Sequence, residues 1–323
     1  MSGLYDKYNR KIDYLRISIT DRCNLRCFYC MPLGGVKPKP HDEILSYEEI
    51  KSFAKAAVNA GVSKIKLTGG EPLVRKGAVK LVSMLAGIPG LKDISLTTNG
   101  TLLPEFGERL KAAGLKRVNI SIDSLDPQIY QIITRMGKLE RVLSGLEKSL
   151  ELGFEPVKIN TVLIRSINDD PKDFIKLIYD YPVHVRFIEL MPVSRQDPSL
   201  FLSIDELKQS LIRYGNLKEI EGPEGAGPAQ YVTFKGALGS VGFISPISHH
   251  FCSTCNRLRL TSDGKLRTCL FSDKEFDIRP IFRDKLSEEE ISAFIQNVLN
   301  RKPEGYNILS LNKTDRLMCQ IGG

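Results

Sequence analysis

Apolar and polar residues alternate in short runs along this chain. Leu15, Ile17 and Ile19 alternate with Arg16, Ser18 and Thr20, and Ile65 and Leu67 with Lys64, Lys66 and Thr68. The same holds for Val118, Ile120 and Ile122 against Asn119, Ser121 and Asp123, for Val157 and Ile159 against Lys158 and Asn160, and for Val185 and Phe187 against His184 and Arg186. A period of two marks a strand. The predicted strands cover residues 14–20, 64–68, 93–98, 117–123, 156–163 and 184–189. Helical periodicity fills the intervals. Ser46 and Glu49 form an S-x-x-E capping box ahead of Ile50, Phe53, Ala54, Ala57 and Val58, and Gly61 suits a left-handed helix end. Further helical stretches lie at 78–85, 107–113, 139–152 and 172–179. Strand, helix, strand in repetition predicts a parallel sheet with right-handed crossovers.

A parallel strand buried on both faces reads as a nearly continuous apolar run. These strands do not. If the sheet curls into a barrel or part of one, their polar faces line the lumen, and Arg16, Lys66, Lys158 and Arg186 converge there. The alternative is an antiparallel sheet with one solvated face, which the intervening helices make awkward. After about residue 215 the pattern weakens. Residues 220–231 are rich in Gly and Pro, and clear helical periodicity returns only at 287–299. We therefore expect a core over 1–219 and a smaller, metal-stabilised part over 220–323.

Composition narrows the class. The chain has 323 residues, is 42% hydrophobic and 26% charged, and carries a net charge of +8. The basic balance favours a polyanionic partner. No run approaches a membrane span, and the first residues lack the apolar segment of a secretory signal, so the expected location is the cytosol. Six of the seven cysteines form two triads, Cys23, Cys27, Cys30 and Cys252, Cys255, Cys269. In a reducing compartment such groups are metal sites rather than disulfides. Cys23-x3-Cys27-x2-Cys30 directly follows the first strand, where barrel active sites lie, and three thiolates on a four-iron cube leave one iron open. For Cys252-x2-Cys255-x13-Cys269 the spacing alone leaves structural zinc open, with His249 or His250 as fourth ligand.

The chain resembles the radical S-adenosylmethionine enzymes and, within them, the GTP 3′,8-cyclases of molybdenum cofactor biosynthesis. The resemblance runs nearly end to end: Arg16-Ile-Ser-Ile-Thr-Asp, the first triad, Lys66-Leu-Thr-Gly-Gly-Glu-Pro, Thr97-Thr-Asn-Gly, Asn119-Ile-Ser-Ile-Asp-Ser, Lys158-Ile-Asn-Thr-Val, Arg186-Phe-Ile-Glu-Leu-Met, the second triad with Asn256-Arg-Leu-Arg, and a final Ile321-Gly-Gly. It implies an α/β fold: a partial (β/α)6 TIM-type barrel with a smaller α+β C-terminal domain. It also implies two 4Fe–4S clusters, one on each triad. S-adenosylmethionine would sit on the open iron of the first, contacted by Tyr29, Gly70, Ser121 and Met191. GTP would sit on the second, contacted by Arg16, Lys66, Thr97, Lys158, Arg257, Leu258 and Arg259. Lys66 stands where the family more often has Arg; it keeps the charge but loses the two-pronged fork. The C-terminal Gly322 and Gly323 would reach the active site. Cys319 is expected to be an ordinary thiol, and His249 and His250 to have no catalytic role.

The reaction so implied removes the ribose 3′ hydrogen of GTP with a deoxyadenosyl radical and joins C3′ to C8. The product passes to a cyclic pyranopterin monophosphate synthase, and a reductant protein supplies electrons. Nucleic acid and membrane are not expected partners, and homodimer formation is left open. Two rivals stand beside this reading: a peptide-modifying radical enzyme, and a zinc-stabilised nucleic-acid-binding protein with steeply salt-dependent affinity.

Overall fold

The computed structural model of the chain describes residues 3–193, 197–225, 227–306 and 316–322. Strands β1 (Tyr14–Ser18), β2 (Lys64–Thr68), β3 (Asp93–Thr98), β4 (Arg117–Ser121), β5 (Val157–Leu163) and β6 (His184–Glu189) pair in sequence order, all parallel. Helices α1 (Tyr47–Ala60), α2 (Ala78–Ala86), α3 (Leu103–Ala112), α4 (Pro127–Thr134), α5 (Leu139–Glu151) and α6 (Lys172–Asp180) fill the crossovers. The Ser46–Glu49 capping box forms in both directions, and Gly61 ends α1 at φ 129°. Parallel pairing rules out the antiparallel alternative.

The chain then returns to both edges of the same sheet. After α7 (Ile204–Leu211) come β7 (Lys218–Ile220), β8 (Gln230–Thr233) and β9 (Ser240–Ile244), with β9 parallel to β6. Then β10 (Arg257–Leu260) runs parallel to β1, followed by β11 (Lys265–Arg267) and β12 (Phe276–Asp277), both in antiparallel pairings. Two helices, α8 (Arg279–Arg283) and α9 (Glu288–Leu299), precede the short terminal α10 (Met318–Ile321). One twelve-stranded sheet results. The expected α/β partial barrel is present, and the C-terminal part extends it at both edges. Strand periodicity missed β7–β12: five of them span four residues or fewer, too short for a pattern, and β9, at five, carries Gly242 at its centre.

Register sorts the side chains. In parallel pairing, opposed residues share a face. Leu15 opposes Ile65 and Leu258, and these apolar residues are buried toward the helices. Arg16 opposes both Lys66 and Arg259, and Asn119 opposes Thr97 and Lys158, so the polar rows share the other face. That face is not solvated: Lys66, Lys158, Arg186 and Arg259 are all buried. Residues of β1, β2, β3, β5, β6, β9 and β10 line one cavity, which requires the sheet to curl around it.

Candidate active site

The relation of β1 to β10 decides the layout. The first triad follows β1, whereas Cys252 and Cys255 precede β10. Because the strands are parallel, Tyr14 opposite Arg257 and Ile17 opposite Leu260, the two triads lie at opposite ends of the pair. Cys269 follows β11, which runs back antiparallel to β10, and so rejoins Cys252 and Cys255. A five-residue strand covers about 16 Å.

At the upper end, the strand C-termini, the thiols of Cys23, Cys27 and Cys30 act on one another electrostatically. Burial pushes Cys23 up to about 11, and Cys27 rises well above the usual thiol range for the same reason, with Asp123 adding to it. The Leu25 amide donates to the Cys23 sulfur at 3.3 Å. Glu71 is fully buried and accepts from the Thr98 hydroxyl at 2.9 Å and the amides of Leu73 and Asn99 at 3.0 and 2.7 Å. Burial still raises its carboxyl to about 7. The Tyr29 hydroxyl donates to Asp123 at 2.7 Å, Ser121 ends β4, and Met191 lines the cavity. Gly70 is required by its own backbone: a Cβ there would stand 2.3 Å from the Arg22 carbonyl. The glycine therefore lets the β2 loop close onto the first-triad loop.

The cavity between the ends is lined by Arg16, Lys66, Thr97, Arg257, Arg259 and the second triad, among others. Lys158 lines an adjoining recess that shares Tyr14 and Lys66 with it, and donates to the Glu224 carbonyl. Burial, then mutual repulsion, depresses these cations. Lys66 falls well below the usual lysine range, Lys158 falls to about 6, and Arg16 and Arg259 also fall. Such a cluster is relieved by an anion. Asn160 Oδ1 and Arg186 Nε are buried with no partner among the described residues, and both side chains line the cavity. A polar ligand would satisfy them.

The lower thiols differ from the upper ones. Burial pushes Cys255 up, but Arg257 and Lys302 beside it outweigh this and bring it to about 6. Arg257 also stacks over Phe251, 5.0 Å from the ring centre. Among the described residues, no three His, Cys, Asp or Glu side chains gather closely enough for one metal ion. Three thiols in each trio, with the Leu25 amide on Cys23 and the Tyr306 amide on Cys252, suit iron–sulfur clusters. His249 Nε2 faces Asp205 at 2.7 Å, and His250 Nδ1 lies within hydrogen-bond distance of the Pro246 carbonyl and the Tyr306 hydroxyl.

The Leu258 side chain lies in the core, away from the cavity, so only its backbone faces the substrate side. Gly322 has φ 78°, its carbonyl accepts from Arg259 at 2.9 Å, and a Cβ would stand 2.9 Å from Ser18 and Thr68. The tail thus threads between the upper ends of β1 and β2. Gly323 lies outside the described residues. Cys319 is buried and hydrogen-bonded to Cys30, so it adjoins the first triad. Sequence reasoning gave no role to Asn160, although its place two residues after Lys158 puts it on the same face. It also passed over Tyr306 and Lys302, which no periodicity or motif marks.

Residues 17–178 match the Radical SAM superfamily model, and residues 183–308 match Molybdenum Cofactor Synthesis C. A GTP 3′,8-cyclase from Alkaliphilus oremlandii is 50% identical over 324 residues, covering 98% of this chain and 99% of that protein. One from Heliobacterium modesticaldum is 46% identical, covering 99% and 100%. Among solved structures, Streptococcus suis SuiB bound to S-adenosylmethionine shares the fold at a TM-score of 0.62 and 14% identity, covering 94% of this chain and 75% of its own.

Proposed function

The chain belongs to the GTP 3′,8-cyclases, radical S-adenosylmethionine enzymes of molybdenum cofactor biosynthesis, and on that premise we propose how its residues divide the work. The reaction is the lyase-type conversion of GTP to (8S)-3′,8-cyclo-7,8-dihydroguanosine 5′-triphosphate, the first step of that biosynthesis. Its cofactors are two 4Fe–4S clusters and S-adenosylmethionine. Cys23, Cys27 and Cys30 would hold one cluster, and Cys252, Cys255 and Cys269 the other. When bound, the first cluster and S-adenosylmethionine supply hydrogen-abstracting radical chemistry.

Everything else falls to the chain's own groups. Tyr29, Gly70, Ser121 and Met191 seat S-adenosylmethionine at the upper end. Arg16, Lys66, Thr97, Lys158, Arg257 and Arg259 bind GTP, with Leu258 contributing backbone. Guanidinium forks suit phosphate oxygens, and the crowded cations lose their repulsion when the triphosphate arrives. The chamber's role is then to hold the ribose near the reactive end and keep water out. Gly322 and Gly323 carry the tail against that end. Residues 1–219 form the cofactor-binding core, and 220–323 the part bearing the second cluster. A reductant protein, a cyclic pyranopterin monophosphate synthase acting on the product, a cytoplasmic location and a homodimer complete the proposal. Among the described residues no helix is long and apolar enough to cross a membrane.

The observation that carries this reading is the parallel pairing of β1 with β10, which sets the triads at opposite ends of that strand pair, with the second triad lining a cationic chamber. Anaerobic reconstitution with iron and sulfide should give about eight irons per chain. Adding S-adenosylmethionine, GTP and a reductant should then yield 5′-deoxyadenosine in step with GTP loss. Deoxyadenosine without GTP consumption, or neither, rejects the assignment.

A further inference from the structure

Behind the second triad, on the segment after α9, lies a lysine with no place in the chamber. Lys302 is 2% exposed. Its ammonium donates to the Cys255 sulfur at 3.5 Å, to the Arg257 carbonyl at 3.0 Å and to the Thr268 carbonyl. An ammonium has three donors, and these contacts use them all, leaving none for substrate. The carbonyls belong to the first residue of β10 and to the neighbour of Cys269, so one side chain ties together both stretches that present the thiols. The same segment reaches a second sulfur, for the Tyr306 amide donates to Cys252.

The segment is itself anchored. Arg10 donates to the carbonyls of Cys252 and Glu304, both at 2.7 Å, and of Pro303 at 2.6 Å. Arg10 is neutralised by Asp6 at 2.6 Å. Among the described residues Lys302 has no such partner in its bonding shell, only a sulfur and two carbonyls. A buried cation needs a compensating negative charge, and among the described residues its bonding shell offers the thiolate set.

We infer that Lys302 is a positioning residue for the second cluster and raises its reduction potential. The inference rests on the reading that Cys252, Cys255 and Cys269 hold a cluster. Reduction adds negative charge to the cluster, and a fixed ammonium bonded to a ligand sulfur in a dry site favours the reduced form. A lysine that only stapled β10 to β11 would leave the potential alone.

The test is an anaerobic, EPR-monitored redox titration of the reconstituted full-length enzyme, carrying Lys302→Met, Lys302→Arg or neither. Each is made also in a Cys27→Ser background, which isolates the second cluster's signal. With Lys302→Met the reduced-to-oxidised ratio at the wild-type midpoint should fall about tenfold, a shift of about 59 mV for one electron. Lys302→Arg should stay within about twofold of wild type. A Lys302→Met enzyme that keeps its iron and titrates at the wild-type potential overturns the inference. If Lys302→Met takes up no second cluster, full iron in Lys302→Arg supports the need for a cation, and its loss there too overturns it. A wild-type chain that binds iron only at the first triad refutes the underlying reading instead.

Discussion

Replacing Lys158 by Met tests the electrostatics of the chamber most directly. Lys158 is 1% exposed and sits near Arg186 and Arg117, and burial, reinforced by those two charges, brings it from 10.5 to about 6. At 1.36 kcal/mol per unit, its charge is disfavoured in the ligand-free enzyme by roughly 6 kcal/mol. At pH 8 the side chain is therefore mostly neutral, and GTP must bind together with a proton. A charge-assisted hydrogen bond contributes roughly 1.5–3 kcal/mol, so near pH 6 the wild type should bind GTP about 10- to 150-fold more tightly than Lys158→Met. Each pH unit above 6 removes up to about tenfold of that advantage, and by pH 8 the two should converge. Titration of the γ-phosphate is common to both proteins and cancels in the ratio. Anaerobic calorimetry at pH 6, 7 and 8, in two buffers of different ionisation enthalpy, reads both the ratio and the proton taken up. The same shift acts on folding. The folded chain sheds a proton that the unfolded chain keeps up to 10.5, so wild-type stability should rise as pH climbs from 6 toward 10.5, and Lys158→Met should lose that contribution. A constant affinity ratio with no proton uptake would refute the reasoning.

Other outcomes follow from single contacts. Gly322→Ala meets two carbons at 2.9 Å and an unfavourable positive φ, which costs about 1–2 kcal/mol; turnover should drop more than tenfold, while a thermal melt stays within about 2 °C because only the tail is displaced. Cys252→Ala should lower iron from about eight to about four per chain and weaken GTP binding, yet still cleave S-adenosylmethionine; iron assay and deoxyadenosine yield check this. Glu189 is fully buried and accepts from the amides of Ile204, Ile247 and Ser248 and from the Ser248 hydroxyl. Glu189→Ala leaves those donors unsatisfied and should destabilise the apoprotein by about 3 kcal/mol or more in urea; an unchanged midpoint would show that the loop before the second triad does not depend on it.

Much of the barrel was legible because its strands carry their own pattern. Alternation at residues 64–68, 93–98 and 184–189 matched the observed strands to the residue. The short helix α4 and the six C-terminal strands were not legible: α4 makes barely two turns, five of the strands span four residues or fewer, and β9 has Gly242 at its centre. The chemistry split the same way. Cysteine spacing announced both triads, and the alternation placed Arg16, Lys66 and Lys158 on one face. Leu258 shows the limit, for adjacency in Arg257-Leu-Arg puts it in the motif while register turns its side chain into the core.

Local sequence, then, determined the strands, the helices between them and which cysteines keep company, because period and spacing are properties of neighbouring residues. Only the tertiary structure could decide that β10 joins β1 in parallel, across more than two hundred residues of chain. That pairing depends on which sheet edge is left open once six strands have curled, and no stretch of sequence encodes an edge. From it come the placement of the triads at opposite ends, the crowding that depresses the buried lysines, and the approach of Lys302 to a sulfur with which it shares no motif.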